Sequence, residues 1–289
     1  MRIAVLGLGL MGAAVARRLH RQGYAVTGWN RRSEPAQALR EEGVATAASA
    51  VDAVVAADVV VLLLSDYAAI DATLFPAAAG SLAGKLVVQM GTIAPDESRT
   101  LAERLAAAGA DYFEAPVLGS LPEAAAGRLL IMGGGAPAVF ERCLPLLQAL
   151  GESPRRIGEV GQGAALKLAM NQLIAGLTAT FSLSLGLVRH EGVAVEEFMA
   201  LLRDSALYAP TYDKKLDKYL AHDYGRANFP LKHLVKDLRL FRQAGEQDGL
   251  DTALIDAISA ACERAVEQGW GDQDYSVLYE ALVSRDPDR

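Results

Sequence analysis

The 289-residue chain is poor in the side chains that build disulfide frameworks, metal centres and charge-relay sites. Its two cysteines, Cys143 and Cys262, are far apart in helical-looking segments, and neither belongs to a CxxC pair. That usage excludes a disulfide scaffold and suits buried thiols in a reducing compartment. Only four histidines occur, with no metal-ligand cluster and no Ser-His-Asp spacing, so no metal is expected and His233 is assigned to packing. Basic residues are in deficit: 28 Lys and Arg against 35 Asp and Glu give a net charge of -7. No five basic residues run together, and without a basic face a nucleic-acid partner is not expected.

Two apolar stretches imitate other signals. "MRIAVLGLGLMGAAVA" has the basic start, apolar run and small-residue end of a signal peptide, but its three glycines stand at ordered spacing and lead into a folded pattern. "LAMNQLIAGLTATFSLSLGLV", residues 168–188, is uncharged and long enough to span a bilayer. Asn171, Gln172, Thr178, Thr180, Ser182 and Ser184 make it too polar for a lone span, so a central helix packed on all sides is expected. No targeting or lipidation motif stands out, which makes a soluble cytoplasmic protein with no membrane partner the expectation.

What is present is apolar patterning, with 52% hydrophobic residues, enough for two cores. Up to about residue 160, short runs rich in Val, Ile and Leu (2–6, 24–29, 58–64, 86–89, 111–114 and 128–132) read as strands. They are continuous rather than alternating, as in a parallel sheet covered on both faces. Helical periodicity fills 10–22, 33–42, 67–73, 95–107 and 136–150, and several of these segments end at Gly23, Gly43 and Gly109. After Gly158, Gly161 and Gly163 only helices are expected, over 164–190, 195–204, 207–220, 230–247, 251–268 and 275–283. The expected class is α/β: a doubly wound Rossmann domain over 1–160, then an all-α domain over 161–289.

"VLGLGLMGAAVARRL" sets Gly7, Gly9 and Gly12 in GxGxxG spacing, with Leu10 and Met11 between, directly after a strand and at a helix start. There, Gly7 permits a tight turn, Gly9 lets backbone N–H groups approach a pyrophosphate, and Gly12 allows close helix packing. The second strand ends in "WNRRS" about 20 residues on, where an acidic residue would bind the ribose of NAD. Asn30 is neutral, while Arg31 and Arg32 offer guanidinium forks to a 2′-phosphate, so NADP(H) is preferred and NAD(H) is the alternative cofactor. The competing reading leaves the arginines solvating a helix start, with Ser33 as its N-cap.

Lys167 and Asn171 lie four residues apart in the apolar "GQGAALKLAMNQL", hence on one face. A buried ammonium is costly without a partner. Either the pair serves chemistry, or Lys167 reaches solvent from a helix end and Asn171 makes a core hydrogen bond.

The ordered motifs "GLGLMG" with "NRR", "EAPVLGS" followed by "GRLLIMGG", "GQGAALKLAMNQ" and "FPLKHLVKDLRL" resemble the β-hydroxyacid dehydrogenase family over nearly the whole chain. The resemblance is strongest to its glyoxylate/succinic semialdehyde reductase branch, with 3-hydroxyisobutyrate dehydrogenases beside it. It implies an NADP(H)-dependent reductase of a small aldehyde or keto acid, with Lys167 as catalytic acid and Asn171 orienting the reacting oxygen. Burial among Ala164, Leu166 and Leu168 is expected to favour proton transfer from Lys167. The resemblance further implies cofactor contacts at Leu64, Met90 and Thr92, an acid-binding place at Gly119 and Ser120, a pocket wall at Phe229, and Lys236 near substrate and cofactor. Leu118 stands where the family usually has serine, which makes the pocket more apolar. The alternatives are a 3-hydroxyisobutyrate-type dehydrogenase running oxidatively, an imine reductase, in which the lysine is generally replaced, and a non-catalytic NADP-binding sensor or scaffold. A homodimer is expected, since the helix from 164 to 190 is too apolar for a small domain to cover, and a homotetramer is the alternative.

Overall fold

The computed structural model describes residues 1–75 and 78–283; the last residues of the expected second domain, 284–289, lie outside the described residues. The first elements are β1 (Arg2–Leu6), α1 (Leu10–Arg21), β2 (Ala25–Trp29), α2 (Ser33–Glu41), β3 (Ala45–Thr46), α3 (Ala50–Ala56), β4 (Val59–Leu62) and α4 (Tyr67–Leu74). They are followed by β5 (Leu86–Gln89), α5 (Pro95–Ala107), β6 (Asp111–Glu114), β7 (Val117–Leu118), α6 (Leu121–Ala126), β8 (Leu130–Gly134), α7 (Pro137–Leu150) and β9 (Arg155–Gly158). The helices α8 (Gln162–His190), α9 (Val195–Asp204), α10 (Pro210–Ala221), α11 (Leu231–Gln247), α12 (Ala253–Ala265) and α13 (Leu278–Leu282) complete the chain.

The sheet runs β3-β2-β1-β4-β5-β6-β8-β7, with β9 paired to β8. From β3 to β6 every pairing is parallel, and the order reverses between β1 and β4. Continuous apolar strands arise because alternate residues enter two different cores. Ile3, Val5, Val59, Val61, Leu86 and Val88 pack with Val15 and Leu19 of α1, Leu39 of α2 and Leu146 and Leu147 of α7. Ala4, Leu6, Val60, Leu62 and Val87 pack with Val54 of α3, Ile70 and Leu74 of α4 and Leu101 and Leu105 of α5 on the opposite face. The sheet is not wholly parallel as expected: β8 runs antiparallel to β6 and β7. The strand expected over 58–64 stops at Leu62, because the carbonyl of Leu63 turns in to pack against Gly7.

Two compact units result, Met1–Leu168 and the residues from Ala169 onward. The division falls inside α8, past residue 160, because the first turn of that helix is hydrogen-bonded to Glu114 at the end of β6.

The second unit has its own core. Leu231, Leu234, Val235 and Leu238, spaced i, i+3, i+4 and i+7, turn one stripe of α11 inward to meet Ala175, Phe181 and Leu185 of α8 and Ile255, Ile258 and Cys262 of α12. Phe181 stacks on Tyr212 of α10 with centroids 4.5 Å apart. Helix α8 is not packed on all sides as expected, since Leu173, Leu183 and Leu187 are exposed in the single chain. Helix α10 starts at Pro210, later than expected, because proline is suited to a first helical position and has no N–H to give an earlier turn. Helix α12 stops at Ala265, and the wide turn Val266–Trp270 that follows is made by Gly269 at φ +84°. Cys143 and Cys262 are fully buried, and burial pushes both thiols up to about 12.

A buried ion pair closes this core. Lys215 Nζ lies 2.7 and 2.8 Å from the two oxygens of Asp274, a residue with no exposed surface. Asp274 also accepts from the Ser276 hydroxyl at 2.7 Å and from the Asn228 N–H at 3.3 Å. Burial pushes the Lys215 ammonium below its usual range even with Asp274 against it. Asp274→Asn should therefore strand a buried cation, and about 3–5 kcal/mol of unfolding free energy should be lost. Urea denaturation reads this as a lower midpoint, and an unchanged midpoint would deny the pair its role.

Candidate active site

Strand β1 hands the chain to α1 through a turn that has no room for a side chain at Gly7 or Gly12. Gly7 takes φ +96°, and a Cβ there would lie 2.4 Å from the carbonyl oxygen of Leu63. A Cβ at Gly12 would lie 1.8 Å from the carbonyl oxygen of Gly7, so α1 sits directly on the turn. At Gly9, by contrast, an added Cβ would meet nothing within 4 Å. No side chain caps α1 at Gly9 and no acidic residue occupies its first turn. The head of the helix thus keeps its donors and its positive dipole end for an anion, and the absent Cβ at Gly9 clears the approach. These residues fit a dinucleotide pyrophosphate. Leu10 is half exposed, and Met11 packs against the core.

The neighbouring strand ends meet this turn. Asn30 Oδ1 accepts from the Leu8 N–H at 3.0 Å, and Asn30 Nδ2 donates to the carbonyl of Arg32 at 3.1 Å. The amide therefore ties the glycine turn to the turn after β2. Arg31 and Arg32 are both exposed. Arg32, not Ser33, is the N-cap residue of α2; Ser33 is its first helical residue. Leu64 follows β4, with its N–H close to Gly7 and its carbonyl 2.9 Å from where a Gly91 Cβ would stand. Met90 is 2% exposed and belongs to the core. Thr92 is half-buried in the loop after β5.

At the start of α6 the Ser120 N–H and hydroxyl both donate to Glu123 Oε2, at 2.8 and 2.6 Å. The donors expected to hold an acid are thus engaged by a carboxyl of the chain itself. Gly119 takes φ +132°, and a Cβ there would meet Leu129 at 2.9 Å. A second carboxyl, absent from the expected site, lies at the end of β6. Glu114 is 1% exposed, and its Oε1 accepts from the N–H groups of Gly161 and Gly163 at 2.8 Å and of Ala164 at 3.3 Å. Its Oε2 accepts from the Ser98 hydroxyl. Lys167 follows one turn later, half-buried; Ala164 and Leu168 beside it are buried, whereas Leu166 is only partly so.

In the second unit, Asn171 and Lys236 converge on one residue that sequence reasoning passed over. Asn171 is 2% exposed and its Nδ2 donates to Asp237 Oδ2 at 2.5 Å. Lys236 Nζ lies 3.0 Å from Asp237 Oδ1, an ion pair rather than an aligned hydrogen bond. Asp237 itself is 3% exposed. Its signal in the sequence is its phase: three residues after Leu234, it occupies the inward stripe of α11, where a charge requires partners. Phe229 packs parallel to His233 with centroids 6.5 Å apart and meets Tyr275 edge-on. Burial, with Lys236 nearby, pushes the His233 imidazole below its usual range, in keeping with a packed neutral ring.

Known proteins share both halves of this arrangement. Residues 2–161 match the NAD binding domain of 6-phosphogluconate dehydrogenase, and residues 161–282 match the NAD-binding region of NADP-dependent 3-hydroxyisobutyrate dehydrogenase. The chain is 31% identical to glyoxylate/succinic semialdehyde reductase 1 of Arabidopsis thaliana over 286 residues, 98% of each chain. Among solved structures it is similar to 3-hydroxyisobutyrate dehydrogenase from Salmonella typhimurium, with a TM-score of 0.86 at 25% identity over 97% of this chain and 99% of that one. An imine reductase from Myxococcus stipitatus in complex with NADP+ shares the fold, with a TM-score of 0.67 at 24% identity over 98% of this chain and 100% of that one. With the glycine turn shaped for a pyrophosphate, these likenesses lead to one assignment: the chain belongs to the β-hydroxyacid dehydrogenase family, oxidoreductases that act on CH–OH groups with a nicotinamide dinucleotide.

Proposed function

We propose that this protein is an NADP(H)-dependent reductase of a small aldehyde or keto acid, forming the hydroxyacid, with Lys167 as the proton donor. The observation that carries the reading is a lysine one turn into α8, half-buried between buried apolar neighbours, with a buried Asn171 one turn further on. The bound nicotinamide supplies a hydride. As the substrate carbonyl is reduced its oxygen gains negative charge, and an ammonium at Lys167 both stabilises that charge and delivers the proton. Asp237 accepts from Asn171 Nδ2 and so fixes that amide, and Asn171 is assigned the orienting of the reacting oxygen. The acid end of the substrate is assigned to Gly119 and to Ser120 once its hydroxyl turns from Glu123. On the same terms a homodimer, or a homotetramer, is proposed from the exposed Leu173, Leu183 and Leu187 of α8.

Preference for NADP(H) is supported by the exposed Arg31 and Arg32 beside a neutral Asn30. Arg31→Asp should raise the KM for NADPH far more than that for NADH. Equal weakening of both cofactors would remove Arg31 from phosphate recognition.

Lys167→Ala should lower kcat by about 10²- to 10⁴-fold while leaving NADPH affinity nearly intact, as loss of general acid catalysis does. A variant keeping more than about a tenth of wild-type kcat, with chemistry limiting in both proteins, would contradict the role.

Two observations favour a second reading, a neutral carbonyl substrate: Leu118 is apolar, and Glu123 already occupies the donors of Ser120. Turnover of an aldehyde acid, its amide and an alkyl aldehyde of equal length separates the two. The acid should lead its amide by roughly 10- to 100-fold in kcat/KM, the size of a charge-assisted hydrogen bond. Equal or better turnover of the alkyl aldehyde would sink the hydroxyacid reading.

A further inference from the structure

We infer that Glu114 is the positioning residue for Lys167: its carboxyl anchors the first turn of α8 to the end of β6 and thereby sets where the ammonium stands. The inference rests on Lys167 being the proton donor proposed above.

The anchor is a single oxygen. Glu114 Oε1 receives three N–H donors at the start of the incoming helix, from Gly161 just before it and from Gly163 and Ala164 in its first turn, within the same unit as Lys167. Three bonds from one helix start to one atom restrict both the height of the helix and its rotation about its axis. The other oxygen is held in turn, since Ser98 donates to Oε2 and the Ser98 and Tyr112 hydroxyls lie 2.7 Å apart. Glu114 is thus itself fixed from two sides. Lys167 comes three residues after Ala164, a rise of about 4.5 Å along a stiff helix, so a shift at the anchor passes to the lysine almost undiminished.

The surrounding backbone is shaped to this carboxyl. A Cβ at Gly134 would lie 2.1 Å from Glu114 Oε1, and one at Gly163 would lie 3.1 Å from it and 2.4 Å from the carbonyl of Met132. Gly161 takes φ +97°, which brings its N–H round to the same oxygen. Gly134 of "GRLLIMGG" and Gly161 and Gly163 of "GQGAALK" therefore have a shared reason, the space and the donors that Glu114 requires. The negative carboxyl at a helix N-terminus also complements the helix dipole.

The test uses the full chain with NADPH and its best aldehyde acid. Glu114→Ala should lower kcat by about 10- to 100-fold, the scale expected when a reacting group is misplaced by about 1 Å. NADPH affinity should stay within about threefold, because the glycine turn is untouched. The isotope effect with deuterated NADPH should rise as chemistry becomes slower, a change that loss of folded protein would not produce. Glu114→Gln keeps the shape: its carbonyl oxygen accepts the three N–H groups and its NH2 donates to Ser98, so most of the activity should return. If Glu114→Ala does not fold, Gly134→Ala displaces the carboxyl with its charge intact and should show the same kcat loss and isotope effect. Hydrogen exchange at Gly161, Gly163 and Ala164 should quicken in either variant. A folded Glu114→Ala or Gly134→Ala with wild-type kcat and isotope effect overturns the inference, provided Lys167→Ala is inactive beside it. A fully active Lys167→Ala overturns the proton-donor reading and the inference with it, so the two failures are distinguishable.

Discussion

Helix α1 stands so close to the turn leaving β1 that one added carbon at Gly12 would lie 1.8 Å from a carbonyl oxygen. That contact fixes how far the head of the helix projects beyond the sheet edge, and the rest of the nucleotide-binding unit is arranged around it. Because β1 and β4 are neighbours, the Leu63 carbonyl presses on Gly7 from the other side, and the order of the strands reverses at this place. A reversal opens a crevice at the carboxyl ends of the strands, since the connections leave towards opposite faces. Asn30 then ties the adjoining turn to Leu8, so three strand ends form one edge held by backbone contacts and a single amide. Side chains do little there, which is what a surface built to meet a pyrophosphate requires.

Buried carboxyls act elsewhere in this chain, where they hold α8. The first turn of that helix donates to Glu114 and, further along, Asn171 donates to Asp237. Each carboxyl is almost wholly buried, and each comes from an element far away in sequence. An apolar contact would have bound the helix as firmly, but it would have tolerated small slides and rotations. Directional hydrogen bonds to a buried acceptor penalise such movements, because a displaced donor loses its partner away from water. Both carboxyls therefore act on position more than on affinity between elements.

Much of this was legible in sequence where one signal sufficed. The strands β1, β2, β4, β5, β6 and β8 and the helices α1, α2, α5 and α7 follow from apolar periodicity and glycine ends, and the glycine turn from its spacing. What escaped did so for physical reasons. Strands β3 and β7 have two residues each, too few to carry any period, and β9 is only half covered. Helix α3, "AVDAVVA", is apolar but for Asp52 and resembles a strand by composition. At the site, Lys167 and Asn171 were conspicuous as polar residues in an apolar run, whereas Glu114 and Asp237 were not. Glu114 sits at the exit of a buried strand, where polar residues are ordinary, and all its donors but the Ser98 hydroxyl are main-chain groups with no sequence signature. Asp237 follows Lys236 directly, so the pair reads as a solvated charge cluster until the inward phase of α11 is known.

The residues proposed to read the cofactor and those proposed to place the lysine differ in how far they are bound into folding. Arg31 and Arg32 are exposed, and the turn that carries them is fixed by Asn30 through main-chain groups, at the Leu8 N–H and the Arg32 carbonyl. Their side chains are therefore separable from stability, and a change of charge there acts on what binds, not on what folds. A neutral amide at Asn30 suits this arrangement: a carboxylate could accept from Leu8, but it could not donate to the Arg32 carbonyl, and it would repel a 2′-phosphate. Glu114 is the opposite case. Its oxygen serves the helix start, its neighbours Gly134, Gly161 and Gly163 are shaped to it, and Ser98 and Tyr112 are joined to it, so it cannot be altered without disturbing several contacts at once. On the reading proposed for Arg31 and Arg32, cofactor preference should drift readily on this scaffold, while the placement of the lysine should not, because the latter is written into the packing of the sheet edge and the former would rest on two solvent-facing side chains.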